Sequence, residues 1–127
     1  MTAFRAAVLE HFRHPKNRRR IDGATVSVEG ANPLCGDRIR VEMKVERGSI
    51  SDAAFTADAC AVCVAAASVL TEHVHGASMT DAEAIDIVWV YGALGGEPPR
   101  GRARCAQLPL ETLKRAIAES RAIVADA

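Results

Sequence analysis

Ile39, Val41, Met43 and Val45 alternate without a break with Arg38, Arg40, Glu42, Lys44 and Glu46, the period of a strand with one buried and one wet face. Arg47-Gly48 supplies a two-residue turn, and Ile50, Phe55 and Ala57 carry a returning strand to about Asp58, with Asp52-Ala53 disturbing the alternation like a bulge. A shorter strand over residues 25–29 sets Val26 and Val28 on one face. Ahead of it, Phe4, Val8 and Phe12 recur every four residues behind Thr2, a ready N-cap, so residues 3–13 read as a helix that Pro15 ends. Residues 16–24, with Arg18, Arg19 and Arg20, read as a polar connection. Residues 61–75 are apolar nearly all round and stop at Gly76, which describes a buried helix beginning at Cys60. Thr80 and Glu83 form a capping-box pattern opening a helix to about Leu94, broken by Gly95-Gly96 and Pro98-Pro99. A last helix has Pro109 in its first turn and Leu110, Leu113, Ile117 and Val124 on one face. Strands in one block and helices in another predict an α+β fold, an antiparallel sheet covered on one face by helices.

Composition narrows this picture. The 127 residues show no compositional break, so one domain over residues 1–127 is expected. Hydrophobic residues make up 49% but aromatics only 4%, so Ala, Val, Ile and Leu must fill the core. Sixteen basic and sixteen acidic side chains cancel, leaving no field that favours nucleic acid or a membrane as partner. No apolar run approaches the roughly 18 residues that span a bilayer. The first twenty residues are Arg-rich, as in a mitochondrial transit peptide, but Glu10 interrupts them and an amphipathic helix of the folded domain accounts for them. The expectation is a cytoplasmic protein. Four cysteines in a reducing compartment point to metal or sulfur chemistry more than to disulfides.

Three of these cysteines stand in distinctive settings. Cys35 lies in Asn32-Pro33-Leu34-Cys35-Gly36-Asp37, a turn sequence that sets a thiol two residues from a carboxylate, where both can face one ion. Cys60 opens the buried helix, where unpaired N–H groups favour the thiolate. Cys105 precedes the last helix among arginines, which again favours the thiolate. Their wide spacing is not that of a zinc finger, so a shared site must be assembled by the fold. Chemistry alone leaves two readings, a metal site or three small core residues. Cys63, one turn beyond Cys60 and flanked by Val62 and Val64, reads as a core thiol. His73 and His75 sit near the end of that helix, roughly 20 Å from Cys60 at 1.5 Å per residue, and read as helix-end residues.

His11-Phe12-Arg13-His14-Pro15-Lys16-Asn17 resembles the His-aromatic-x-x-Pro-(Arg/Lys)-Asn opening of the IscU/NifU-type and SufU-type scaffold families. Asn32-Pro33-Leu34-Cys35-Gly36-Asp37 resembles their Asn-Pro-x-Cys-Gly-Asp motif. Cys60 with Ala66, Ala67 and Ser68 is similar to their second cysteine and its small-residue helix, and Cys105 falls at the third cysteine. The resemblance covers nearly the whole chain. It implies a three-stranded antiparallel sheet packed with about four helices, and a site made of Cys35, Asp37, Cys60 and Cys105. It further implies a scaffold that takes sulfur from a cysteine desulfurase, builds a [2Fe–2S] cluster with iron and passes it to acceptor proteins or downstream assembly proteins. The SufU-type alternative is a sulfurtransferase holding Zn²⁺. Cys105 is the expected persulfide acceptor by analogy and Cys35 its rival. In three places the chain departs from the families' patterns. Arg104 replaces the histidine that IscU-type members have before the third cysteine, the SufU-type insertion of about twenty residues is missing, and Ala59 replaces a glycine. Pro98-Pro99-Arg100-Gly101-Arg102 keeps only the prolines and a basic residue of a chaperone-recognition segment, and reads equally as a solvated loop or a docking surface for an acidic partner.

Overall fold

The computed structural model describes residues 2–125, and side chains as far as residue 123. Three strands form one antiparallel sheet in the order β1 (Val26–Asn32), β2 (Asp37–Glu46), β3 (Ser49–Asp58). Register follows the hydrophobic alternation: Val28 lies opposite Val41, and Val41 opposite Phe55. That sets Val26, Val28, Ile39, Val41, Met43, Ala53 and Phe55 on one face, all within the core. β1 runs three residues past the expected strand, to Asn32, because the Asn32–Asp37 pairing closes a four-residue loop. The bulge falls one residue earlier than the sequence suggests. Lys44 pairs with Asp52 and Val45 with Ile50, so Ser51 is the extra residue, and its hydroxyl donates to the Lys44 carbonyl at 3.2 Å.

Among the described residues five α-helices accompany the sheet, four of them seven residues or longer: α1 (Ala3–Arg13), α2 (Ala61–Val74), α3 (Met79–Glu83), α4 (Ile87–Ala93) and α5 (Ala103–Ala125). Thr2 caps α1 as expected, accepting the Arg5 N–H at 3.1 Å. α2 is apolar all round because it is packed on every side, against β3, α1, α4 and α5. α5 covers β1 and β2 with Leu110, Leu113 and Ile117 inward; the side chain of Val124 lies outside the described residues. The single helix expected from residue 80 to Leu94 is two. Ser78, not Thr80, caps α3, and Asp86 caps α4 by accepting the Trp89 N–H at 2.9 Å. A cap residue takes extended torsions, so a second cap inside the run forces a break. α5 also begins six residues before Pro109. Pro109 therefore sits within the helix and has no N–H for the Cys105 carbonyl, four residues back.

Residues 17–25 are more than a polar connection. The Phe55 N–H donates to the Asn17 carbonyl and the Arg19 N–H to the Phe55 carbonyl, both at 2.9 Å, so the segment pairs with the free edge of β3. It then crosses the outer face of the sheet as a strap. Arg19 bonds Asp52 at 2.6 Å, Arg20 bonds Glu42 at 2.7 Å, and the Ile21 N–H donates to the same Glu42 oxygen at 3.2 Å. Ile21 is buried beneath the strap, which rejoins the sheet where the Thr25 N–H meets the Met43 carbonyl.

Candidate functional site

The site forms where the β1–β2 loop, the end of β3 and the start of α5 converge. In the loop, the Asn32 carbonyl accepts the Gly36 N–H at 2.9 Å and the Cys35 N–H at 3.3 Å, while the Asn32 side-chain oxygen accepts the Leu34 N–H at 3.2 Å. Gly36 has φ +78, a left-handed torsion that side chains resist, and this turns the chain so that β2 can start at Asp37. Cys35 is left exposed on the turn. Two residues on, the strand alternation points Asp37 inward, where it is 4% exposed.

Asp37 is held by one oxygen. Its Oδ1 accepts the backbone N–H of Cys60 at 3.0 Å, which ties the start of β2 to the N-cap of α2. Its Oδ2 is buried without a hydrogen-bond partner among the described residues. A buried carboxylate oxygen with no donor is costly, and a cation in front of it removes that cost. Candidate cation ligands stand there: one ligand atom each from Cys35, Asp37 and Cys105 all lie within 4.8 Å of one another.

Cys105 enters from the first turn of α5, not from the segment before it, and is 2% exposed. The sequence argument that nearby arginines would favour its thiolate does not hold in the metal-free site. Burial pushes its thiol up to about 12, and the neighbouring Cys60 and Asp37 add to the rise. Cys60 stands at the edge of the site, outside the 4.8 Å set, with its N–H donating to Asp37 and its thiol near that of Cys105. Cys63 is fully buried, and burial, reinforced by Asp37 and the other cysteines, holds its thiol protonated. His73 lies away from the site, with its ring 4.2 Å from that of Trp89.

The arginine that reaches the sulfurs is Arg102, not Arg104. Its guanidinium stands near both sulfurs, and the neighbourhood of Cys105 does most to raise its pKa, with Cys60 adding to it. Residues Arg100–Arg102 form a 3-10 turn leading into α5, which places Arg102 one turn before Cys105. That three-residue spacing is the sequence signal that could have singled it out. Together the site offers soft thiolates, one harder carboxylate and a fixed positive charge at the mouth. Such donors suit zinc or iron–sulfur species. Each thiol must lose its proton to bind, so uptake of a cation releases protons.

The family model for the NifU-like N-terminal domain matches residues 3–127. The chain is 38% identical over 119 residues to the nitrogen fixation protein NifU of Azotobacter chroococcum mcd 1, covering 90% of this chain but only 37% of that longer protein. It is 34% identical over 112 residues to the iron–sulfur cluster assembly scaffold protein IscU 1 of Archaeoglobus fulgidus, covering 88% of this chain and 72% of the relative. The zinc-dependent sulfurtransferase SufU of Bacillus subtilis is 27% identical over 135 residues, covering 93% and 91%. The crystal structure of a putative scaffold protein for the SUF system from Fervidobacterium islandicum AW-1 superposes with a TM-score of 0.76 at 22% identity, over 87% of this chain and 93% of that one. Among the described residues, no helix is long and apolar enough to cross a membrane.

Proposed function

This chain belongs to the NifU-like N-terminal domain family of iron–sulfur cluster assembly scaffolds, and on that premise we propose that it builds a [2Fe–2S] cluster on Cys35, Asp37, Cys60 and Cys105 and passes it on. Iron and sulfur are cargo in this reading, and the chain acts as a carrier in the cytoplasm. The observation that carries the proposal is Asp37, whose buried Oδ2 lacks a partner beside the sulfurs of Cys35 and Cys105. Sulfur arrives as the persulfide of a cysteine desulfurase. A thiolate of the scaffold attacks the outer sulfur, the new S–S bond forms, and the desulfurase cysteine leaves as thiolate. Reduction to sulfide then takes two electrons from a separate donor. Of the two candidate acceptors, exposure favours Cys35 over Cys105, because Cys35 is an exposed residue and Cys105 a buried one. Acceptor apoproteins receive the finished cluster by thiol exchange at the weakest ligand, the Asp37 carboxylate.

A second reading, a SufU-like zinc-dependent sulfurtransferase, is favoured by one feature of the site. Three ligand atoms within 4.8 Å suit a single tetrahedral ion, and Arg104 stands where a histidine ligand could have been. Anaerobic incubation with a cysteine desulfurase, cysteine and ferrous iron separates the two. Visible charge-transfer absorption with acid-labile sulfide supports the cluster scaffold. A colourless protein that keeps one zinc while gaining persulfide on Cys35 rejects it for the sulfurtransferase.

A further inference from the structure

Cys63 is the cysteine that the proposed chemistry leaves idle, and it stands three residues after a ligand, in Cys60-Ala61-Val62-Cys63. Two cysteines at that spacing across the start of a helix are the arrangement of a redox-active dithiol. Cys60 is the N-cap of α2, with extended torsions of φ −69 and ψ 167, and Cys63 is the third residue of the helix. An N-cap side chain leans over the first turn, toward the amides of the second and third residues. The Cys60 side chain makes no capping bond, so its sulfur is not committed to the cap. Helix geometry sets the two Cα atoms roughly 5 Å apart, inside the range of about 4.4–6.8 Å that a disulfide spans. Cys60 is also among the groups whose charge holds the Cys63 thiol protonated, so the two sulfurs lie within electrostatic reach.

Exposure gives the two different roles. Cys60 is half-buried, whereas Cys63 is 0% exposed. A small oxidant therefore meets Cys60 first, with Cys63 behind it as the resolving thiol. The backbone at Cys60 is tied independently of its sulfur: its N–H donates to Asp37 and its carbonyl accepts the Val64 N–H at 3.1 Å. Both bonds survive a change at sulfur, so the fold does not depend on the oxidation state. In the reduced chain Cys63 is core packing and nothing more.

We propose that Cys60 and Cys63 form a reversible disulfide in the metal-free chain, which withdraws Cys60 from the site and closes it to cargo. The oxidant is a small disulfide such as oxidised glutathione. Cys60 attacks one of its sulfurs as thiolate, a mixed disulfide forms, and the first glutathione leaves with the Cys60 proton. Cys63 then attacks the Cys60 sulfur, the Cys60–Cys63 bond forms, and the second glutathione leaves with the Cys63 proton. Two protein thiols are oxidised and one small disulfide is reduced to two thiols. A dithiol reductant reverses both steps. Cargo on Cys60 prevents the first step, because a coordinated thiolate is not free to attack. An empty carrier is thus shut under oxidising conditions, while a loaded one is spared. Transient, sensing disulfides are the kind that a reducing compartment permits. The closing of the site rests on the ligand set proposed above; the disulfide itself does not.

The test equilibrates the reduced, metal-free full chain in buffers of reduced and oxidised glutathione, with reduced glutathione in excess so that mixed disulfides on the exposed Cys35 do not accumulate. Bridges are mapped by peptide mass spectrometry, and zinc affinity is measured by chelator competition after desalting. The wild type should yield a Cys60–Cys63 crosslinked peptide and bind zinc at least tenfold more weakly, until a dithiol reductant restores it. Cys63→Ala should keep full zinc affinity in the same buffers, and the zinc-loaded wild type should form no bridge. A wild type without the Cys60–Cys63 bridge, or a Cys63→Ala chain that loses zinc affinity as the wild type does, overturns the proposal and leaves the ligand set untouched. A bridged chain that binds zinc as tightly as the reduced one, or bridging that proceeds equally in the zinc-loaded chain, overturns the closing of the site and removes Cys60 from the ligand set as well.

Discussion

Gly30→Ala offers a sharp test of how the sheet positions the site. Gly30 lies in β1 opposite Ile39, with its missing side chain directed at α5. A Cβ there would stand 2.1 Å from Thr112 Oγ1, 3.2 Å from Leu108 Cδ1 and 3.3 Å from Thr112 Cβ. Its backbone torsion suits alanine, so the whole effect is crowding. Thr112 is 1% exposed and its hydroxyl donates to the Leu108 carbonyl at 2.8 Å. Either it rotates and loses that bond, or α5 moves outward. Overpacking of this kind costs about 1–3 kcal/mol, and alanine's smaller entropy loss returns roughly 0.5–1 kcal/mol. The net destabilisation is about 1–2 kcal/mol, a melting-temperature drop of roughly 3–8 °C for a domain of this size. α5 also carries Cys105 one turn before Leu108, so an outward shift should weaken zinc binding as well. The assay is a double-mutant cycle with Thr112→Ala, read by thermal melts of the metal-free chain and by chelator competition. Thr112→Ala alone forfeits about 1 kcal/mol, but in the Gly30→Ala background it should restore most of the loss. Gly30→Ala melting with the wild type, or the two losses simply adding, would refute the argument.

Further expectations follow from the strap and the ligands. Burial alone would raise the Glu42 carboxyl, but the bonds from Arg20 and the Ile21 N–H prevail and hold it below the usual range. Its stabilising contribution is therefore full above the unfolded value near 4.5 and lost as pH falls through the lower folded value; urea midpoints from neutral pH to about pH 3 should fall less steeply in Glu42→Gln. Asp37→Asn keeps an acceptor for the Cys60 N–H but loses the charge, so it should fold normally and bind zinc at least tenfold more weakly, with Asp37→Ala losing stability too; equal affinity in Asp37→Asn would remove Asp37 from the ligand set. Asp37→Cys should load fully yet release its cluster to an acceptor apoprotein more slowly, and transfer at the wild-type rate would show that the carboxylate is not the release point. Cys63→Ala should keep full metal content and lose only core packing, about 1 kcal/mol; an emptied site would make Cys63 a ligand.

The sequence announced what depends on local periodicity. The β2 alternation fixed the inward face, and the apolar run after Cys60 marked the one helix packed on every side. The Cys35 loop was legible because Pro33 and Gly36 constrain it. What escaped depends on contacts distant along the chain. Arg18–Arg20 look like a solvated basic run until β3 is there to pair with them and Glu42 to receive Arg20. Ser78 and Asp86 outcompete the Thr80–Glu83 pattern because both accept real amide bonds. Pro109 suggested a helix start, but α5 accommodates it in its second turn. Burial of Cys105 reversed the electrostatic inference drawn from its arginine neighbours, because desolvation of a thiolate is invisible until the surrounding fold is built.

The bond from the Cys60 amide to Asp37 joins the first residue of β2 to the cap of α2, and the α5 thiol closes the same ring from far along the chain. On the proposed ligand set, cargo therefore acts as a removable crosslink among three remote segments, and because the fold alone assembles the site, its binding free energy adds to that of folding. Fullness becomes a mechanical property of the molecule. The charged carrier is the stiffer one and the spent carrier the looser one. A donor that prefers the loose form and a recipient that prefers the stiff one could sort them without touching the cluster, giving the traffic a direction.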